Sequence, residues 1–249
     1  MQVTFRCPPE LESLLPRPQR ARQALPDWLR AMPSEAEAPD LGFAVRTVKQ
    51  CPPFVDAMAS GFVMPLACDL RVEAGRFVWD WPVPPPGATG PYTRAPISCH
   101  FAEQASGSPL HDPDALIVKF NSFWTIALPA GWSLLCLHPI NRADLPFTTL
   151  TGLVDCDSFS DSFVHFPAVW RDPDFTGVLR KGTPVAQCLP LPRESLDLDC
   201  AALDEAGAET FAQVQEALAT EPGIYRKRYR ARVDRPGQAA DPLAEEPGA

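Results

Sequence analysis

The chain has 249 residues with 30 prolines and 14 glycines, and 45% of its residues are hydrophobic. The proline content argues against a helical bundle, because proline disrupts helix interiors and is tolerated in loops, turns and strand edges. The formal net charge of −9 argues against a broad nucleic-acid interface, which needs clustered lysine and arginine.

The N-terminal sequence and the cysteines predict a cytoplasmic protein. No basic segment followed by an apolar run opens the sequence, and no window approaches the length of a membrane span. The eight cysteines are dispersed and include no C-x-x-C pair, unlike a disulfide framework. We therefore expect reduced thiols that pack as small hydrophobes.

Residues 1–42 are predicted to form a proline-rich arm with one short helix near 26–30, where proline and aspartate suit a first helical turn. From residue 43 on, aromatic and β-branched runs between turn formers predict strands. Segments 82–90 and 103–114 are predicted loops. The predicted strands are 43–48, 61–65, 68–72, 76–81, 116–120, 123–128, 132–137, 148–154, 162–170, 177–179 and 184–189. This spacing indicates a mostly β domain, a barrel or sandwich over residues 43–192.

Residues 193–235 are predicted to form an amphipathic helix and a basic segment. One helical face consists of Leu203, Ala206, Thr210, Phe211, Val214 and Leu218. The pattern ends at Glu221-Pro-Gly, and we expect the helix to pack on the barrel or on a neighbouring subunit. The basic stretch 226–235 is interpreted as a phosphate- or RNA-binding arm or, as the favoured alternative, a solvated tail balanced by nearby acids. Residues 236–249 are predicted to be disordered.

Four elements of the sequence, taken in chain order, resemble one family. Ala67-Cys-Asp69-Leu-Arg comes first, and Pro129-Ala-Gly then leads to a polar turn, His138-Pro-Ile-Asn-Arg. Leu150-Thr-Gly-Leu-Val-Asp155-Cys-Asp157 and Lys181-Gly-Thr-Pro-Val-Ala-Gln187 follow. This succession resembles the dUTPase and dCTP deaminase group, which implies a β-clip barrel that assembles as a trimer. Residues 51–62 also resemble a run in uncharacterised bacterial and phage proteins.

The resemblance implies a set of site residues. Asp155 would be the water-activating or sugar-contacting acid, because a carboxylate held at a strand turn can orient a water or a hydroxyl group. The other implied ligand contacts are Asn141 and Arg142 near phosphate, His138 in the same polar turn, Gln187 on a neighbouring phosphate, and Asp69 on the metal–phosphate side. The cofactor is undetermined, and a divalent metal ion is the candidate.

The sequence departs from the dUTPase pattern at three points. The polar turn lacks Arg-Ser-Gly, Asp157-Ser-Phe replaces Tyr-x-Gly, and no glycine-rich phosphate-closing tail follows. These departures argue against dUTP hydrolysis, although a fold can persist while its site changes. Asp155 and Asp157 also fit an ordinary hairpin turn, where aspartate forms local hydrogen bonds.

Three functional interpretations stay open. The first is a small-ligand protein, with a nucleotide as the candidate ligand, and the second is a non-catalytic structural or interaction protein of phage origin. The third is a non-haem metal oxygenase, since two histidines and a carboxylate can hold iron in a β-barrel. No H-x-D or H-x-H spacing is present, so scattered structural histidines are the simpler interpretation of His100, His111, His138 and His165. We expect a homo-oligomer without membrane contact and without nucleic-acid contact outside 226–235.

Overall fold

The computed structural model describes residues 1–73, 75–80, 95–112 and 116–231. Within them the chain is mostly β, as the sequence predicted. The strands are β1 Thr4–Arg6, β2 Gln19–Arg20, β3 Glu35–Ala38, β4 Phe43–Arg46, β5 Phe62–Pro65, β6 Leu70–Glu73, β7 Arg76–Trp79, β8 Ile97–His100, β9 Ile117–Phe120, β10 Thr125–Ala127, β11 Trp132–Leu137, β12 Phe147–Thr149, β13 Gly152–Val154, β14 Phe166–Trp170, β15 Gly177–Leu179 and β16 Pro184–Pro192. The α-helices are α1 Asp27–Ala31, α2 Pro52–Ala59 and α3 Glu205–Thr220. The predicted loop 82–90 and the predicted tail 236–249 lie outside the described residues.

Contacts along the chain define two compact units. The first unit consists of Met1–Leu25 and Ala57–Arg193, and the second of Pro26–Asp56 together with the described residues from Glu194 on. This division differs from the predicted boundary at residue 43. The beginning of the chain belongs to the first unit because β1 pairs with β10 and because Leu11 and Leu15 are buried in its core. Strand β4 pairs instead with β3 in the second unit.

In its described residues, the first unit consists of four antiparallel sheets around one hydrophobic core. Their strand orders are β13-β11-β16-β5-β2, β12-β14-β9-β8, β15-β6-β7 and β1-β10. The predicted strand 148–154 is divided, because β12 pairs with β14 in one sheet and β13 pairs with β11 in another. The largest fully buried side chains of the core include Phe120, Phe123, Phe147, Phe166 and Leu134. Buried aromatic rings such as these contribute a large share of the stabilising energy of a hydrophobic core.

Strand β16 lies inside the five-stranded sheet, between β11 and β5. It pairs with β11 over Trp132↔Pro192 to Leu137↔Gln187, and its pairing with β5 shifts register between Pro184 and Ala186. Gly61 precedes β5 with φ +68°, and a Cβ built on it would lie 2.1 Å from the carbonyl oxygen of Cys188. The close approach of the two backbones therefore requires glycine at this position.

The second unit contains the β3–β4 hairpin, with Glu35 opposite Arg46 and Ala38 opposite Phe43. The side chain of Asp204 caps α3 by accepting from the Gly207 amide at 2.8 Å. The predicted C-terminal helix is thus confirmed, and it ends just before Glu221-Pro-Gly. None of the described helices is long and apolar enough to cross a membrane.

The cysteines are free thiols, as the sequence predicted, and the buried ones are Cys68, Cys136, Cys156 and Cys188. Burial raises the pKa of Cys68 to about 11 and that of Cys156 to about 12. These thiols therefore stay protonated at neutral pH, and they fill the core as small apolar groups.

The close approach at Gly61 predicts a large loss of stability for Gly61→Ala. The matched control is Gly75→Ala, because Gly75 has φ +75° but nothing within 4 Å of its added Cβ. The control should cost about 1–2 kcal/mol for the left-handed backbone. Gly61→Ala should cost about 1–3 kcal/mol more, because the backbone of β16 must shift. Urea unfolding of both variants measures the difference, and equal losses would contradict the contact.

Candidate functional site

The structure connects some of the predicted site residues and leaves others with partners of their own. His138, Asn141 and Arg142 lie in the polar turn between β11 and β12, which Gln187 reaches from β16. Asp155 follows β13, and Asp69 precedes β6.

His138 stabilises the polar turn with both ring nitrogens. Its Nε2 lies 2.9 Å from the carbonyl oxygen of Arg142, and its Nδ1 lies 3.2 Å from the Thr149 amide. Because an amide can only donate, Nδ1 is the acceptor and Nε2 carries the proton. Burial lowers the pKa of His138, which favours this neutral tautomer. The ring closes the turn, and its ligand contact stays a prediction.

Gln187 is 2% exposed, and the backbone occupies its amide. Its Oε1 accepts from the Ile140 amide at 3.0 Å, while its Nε2 donates to the carbonyl oxygens of Ala57 and Ser60 at 3.0 and 2.7 Å. A buried amide side chain normally needs such partners. Gln187 thus joins the polar turn to the end of α2. Contact between Gln187 and a phosphate stays a prediction.

Asn141 and Arg142 form the corner of the polar turn, where Asn141 is exposed and Arg142 is half-buried. Asn141 has φ +59°, a left-handed conformation in which asparagine is enriched. Arg142 makes a two-pronged ion pair with Asp144, with both distances 2.8 Å. A phosphate at Arg142 would have to share the guanidinium with this carboxylate or displace it.

Asp69 is held in the turn before β6. The Lys181 amide donates to one carboxylate oxygen at 2.7 Å, and the Arg180 guanidinium donates to the other at 2.9 Å. These two contacts hold the pKa of Asp69 below its usual value. Asp69 joins two loops of the first unit, and its role near a metal or a phosphate stays a prediction.

Residues Asp155-Cys-Asp157, named here the acidic hairpin, carry the most distinctive arrangement of charge. Cys156 is fully buried and anchors this segment, and the Leu128 amide donates to its carbonyl oxygen at 3.2 Å. The carboxylates on either side of it both contact Arg193. The hairpin therefore combines two acids and one cation around a buried anchor.

Asp155 is oriented but open to solvent. The Ser133 hydroxyl donates to its Oδ1 at 2.6 Å, and Arg193 donates to the same atom at 3.3 Å. The side chain of Asp155 is 62% exposed, and within the described residues its Oδ2 accepts no hydrogen bond. Asp155 is not a carboxylate that only caps its own turn, since its side-chain partners are Ser133 in β11 and Arg193 just beyond β16.

Asp157 has a different environment from Asp155. Arg193 donates to both of its carboxylate oxygens, and the Gly131 amide donates to Oδ2 at 2.9 Å. Arg193 and Gly131 hold the pKa of Asp157 well below its usual range. One acid is therefore neutralised by a guanidinium, while its neighbour keeps a free oxygen.

Arg193 is a site residue that the sequence analysis did not identify. It lies just beyond β16 and also donates to the Trp132 carbonyl at 3.2 Å. The separation of 36 positions between Arg193 and Asp157 hides this pairing from local sequence patterns. The extension of β16 along β11 could have indicated it, because that pairing brings residue 193 beside Gly131.

Three of the four histidines, His100, His138 and His165, have side-chain partners within the protein. His165 Nδ1 accepts from the Ser122 amide at 3.2 Å, and His100 Nδ1 lies 3.1 Å from Gln104 Oε1. Among the described residues, no three histidine, cysteine or acidic side chains come together in a way that could hold a metal ion. The described residues therefore do not provide the group of metal ligands that the oxygenase interpretation requires.

A cleft of about 470 Å³ opens elsewhere in the first unit, lined by Arg6, Cys7, Pro8, Thr125, Asp161, Ser162 and Phe163. None of the six predicted site residues, all of which are described, lines this cleft. The acidic hairpin is thus a surface site that lies outside this cleft.

The hydrogen bonds of Gln187 predict that Gln187→Leu lowers stability strongly. The change leaves the Ile140 amide and the Ser60 carbonyl without their partner, and each such buried group costs about 1–3 kcal/mol. We expect a total loss of about 3 kcal/mol or more in urea unfolding. Gln213→Leu in the exposed surface of α3 is the control and should be nearly neutral. A mild Gln187→Leu would contradict the structural role.

The lowered pKa of Asp157 predicts a pH-dependent contribution to stability. A carboxylate whose pKa is lower in the folded state stabilises above its unfolded pKa of about 3.9, and this contribution disappears as pH falls towards the folded pKa. Asp157→Asn should therefore lower the free energy of unfolding at pH 7. Below about pH 4, this free energy should fall less steeply in the variant than in the parent protein. Unfolding free energies measured across pH test this, with Asp161→Asn as the control that removes a carboxylate nearby in sequence.

No family model and no curated protein matches the chain. Solved structures of phage dUTPases are similar to it at low identity. A variant dUTPase of Staphylococcus bacteriophage 80alpha with dUpNHpp is 10% identical, over 83% of this chain and 94% of that one, with a TM-score of 0.37. A second variant of that enzyme is 8% identical over 82% and 98% of the two chains, with a TM-score of 0.36.

A third solved structure is a variant dUTPase from phage phi11 of S. aureus, described with a structural Mg(II) ion. It is 11% identical over 37% of this chain and 74% of that one, with a TM-score of 0.26. At such scores the superpositions are partial. Phage dUTPases are thus among the solved structures to which this chain is similar, and the four sequence elements resemble the same family.

Proposed function

We propose that this protein binds a small ligand of the nucleotide class and that Asp155 is the acid that contacts it. The observation that carries the proposal is the geometry of this carboxylate. Ser133 and Arg193 fix Oδ1, while the side chain stays 62% exposed. A carboxylate oriented in this way can accept a hydrogen bond from a sugar hydroxyl or a water without first reorganising.

Arg193 makes the acidic hairpin compatible with an anionic ligand. Two bare carboxylates would repel a phosphate, but the guanidinium already neutralises Asp157. Arginine has five N–H donors in a planar fork, and its side chain here is 40% exposed. A ligand that places a hydroxyl at Asp155 would therefore lie beside a guanidinium that offsets one of the two negative charges of the hairpin.

The proposal is one of binding rather than dUTP hydrolysis. The residues that the resemblance assigns to phosphate have internal partners: Arg142 pairs with Asp144, and Gln187 bonds to the backbone. A divalent metal ion would be coordinated by the phosphates of the ligand and by a single carboxylate of the protein. Mg²⁺ adopts this kind of coordination in phosphate sites. Mg²⁺ therefore belongs in the ligand screen.

A non-catalytic interaction protein is the second candidate. It is favoured by these internal partners and by the exposed apolar side chains that follow Arg193, which include Leu196, Leu198, Phe211 and Leu218. Under this interpretation the first unit is a scaffold, and the acidic hairpin stabilises the end of β16.

The proposal predicts that a nucleotide raises the melting temperature of the protein and that Asp155→Asn removes this effect. A ligand that binds only the native state stabilises it by about 2.7 kcal/mol at 100 times its Kd. The probes are dUMP, dUTP and dCTP, each with and without Mg²⁺. The unliganded variant should melt close to the parent, because an exposed ion pair contributes about 0–1 kcal/mol.

Asp161→Asn is the control variant and should keep the full ligand-induced shift. If no probe shifts the melting temperature of the parent protein, the scaffold interpretation gains support. If a probe shifts the parent and Asp155→Asn equally, binding is real but Asp155 does not contact the ligand.

A further inference from the structure

Helix α3 carries exposed apolar side chains. The helix has 16 residues, and among them, all described, no side chain is buried. Phe211 is 55% and Leu218 44% exposed, and their seven-residue spacing places them on one side of the helix. An isolated helix of about this length is only marginally stable in water, so an apolar face normally packs against something.

The exposed apolar residues continue on both sides of α3. We name the following set the C-terminal surface: Leu196, Leu198, Leu203, Phe211, Leu218, Tyr225 and Tyr229. All seven are among the exposed large hydrophobic residues of the chain. Single exposed apolar side chains are ordinary, but a run of them indicates a binding surface.

Charge is distributed along this segment with opposite signs at its two ends. Acidic residues precede and begin α3: Glu194, Asp197, Asp199, Asp204, Glu205 and Glu209. Basic residues follow it: Arg226, Lys227, Arg228 and Arg230. Internal ion pairs connect Arg228 to Glu221 and Arg230 to Asp56, at 3.5 and 2.5 Å. The segment nevertheless runs from an acidic end to a basic end.

We propose that the C-terminal surface docks on the same surface of a second copy of this chain, with the two α3 helices antiparallel. In that orientation the acidic end of one copy meets the basic end of the other at both ends of the interface. A parallel arrangement would place like charges together, which costs stability. An isologous two-fold pair is also the commonest way in which identical chains associate.

The interface explains why the apolar residues lie on one side of a helix of about 24 Å. Seven-residue spacing is the pattern by which paired helices pack their side chains. The docking does not involve Asp155, Asp157 or Arg193. It is therefore independent of the proposed ligand site, and a ligand-induced melting shift should survive the loss of association.

Sedimentation equilibrium of the full chain over the micromolar range tests the proposal. The parent protein should show a concentration-dependent dimer. Phe211→Asp should weaken association at least about tenfold, with the circular dichroism spectrum retained. Phe101→Asp is the control, because Phe101 is 78% exposed but lies outside the C-terminal surface; this variant should associate like the parent.

A pair of charge reversals tests the antiparallel orientation. The acidic end becomes basic in a variant with Glu194→Lys, Asp197→Lys, Asp199→Lys and Glu205→Lys. The basic end becomes acidic in a variant with Arg226→Glu, Lys227→Glu and Arg228→Glu. Each variant alone should be mainly monomeric, whereas an equimolar mixture should recover the dimer, and salt should weaken that mixed dimer.

Three outcomes would overturn the proposal. The first is a parent protein that stays monomeric at every concentration, as expected if α3 packs on its own chain. The second is an assembly that Phe211→Asp leaves unchanged or that Phe101→Asp weakens equally. The third is a mixture of the two charge reversals that stays monomeric.

Discussion

The buried amide of Gln187 is the interaction on which the arrangement of the first unit depends. It lies in β16, between β11 and β5, and it bonds to the polar turn and to the end of α2. A polar group inside a core has to find partners, or it costs folding energy. The segments around Gln187 are therefore held together, and Gly61 approaches Cys188 closely within the same β5–β16 pairing.

The acidic hairpin follows from the same sheet. Strand β11 carries Ser133 between its partners β13 and β16, so one hydroxyl can reach the acid after β13 while Arg193 arrives from the end of β16. The arrangement gives the two acids different environments. Asp157 anchors the guanidinium, and Asp155 keeps an oxygen towards solvent. The proposed ligand contact and the stabilising ion pair thus fall on different carboxylates of one hairpin.

The sequence predicted the mostly β fold and the C-terminal helix because their local patterns are strong. Strand β2, of two residues, and β3, Glu-Ala-Glu-Ala, have no such pattern; β3 exists because β4 pairs with it. The predicted boundary at residue 43 differs from the two units of the structure, because Leu11 and Leu15 are buried by distant parts of the chain. The sequence indicated Asp155 through its motif, but no local pattern indicated Arg193, because its carboxylate partners are 36 and 38 residues away.

The position of Arg193 has a mechanical consequence. It follows β16 directly and precedes the C-terminal surface in the chain, so a pull on that segment reaches the guanidinium before the β11–β16 ladder. Antiparallel strands peel apart one residue at a time when they are loaded from one end. Arg193 contacts Asp157 and the Trp132 carbonyl at that end. Tension from the segment would have to break these contacts before it could separate β16 from β11.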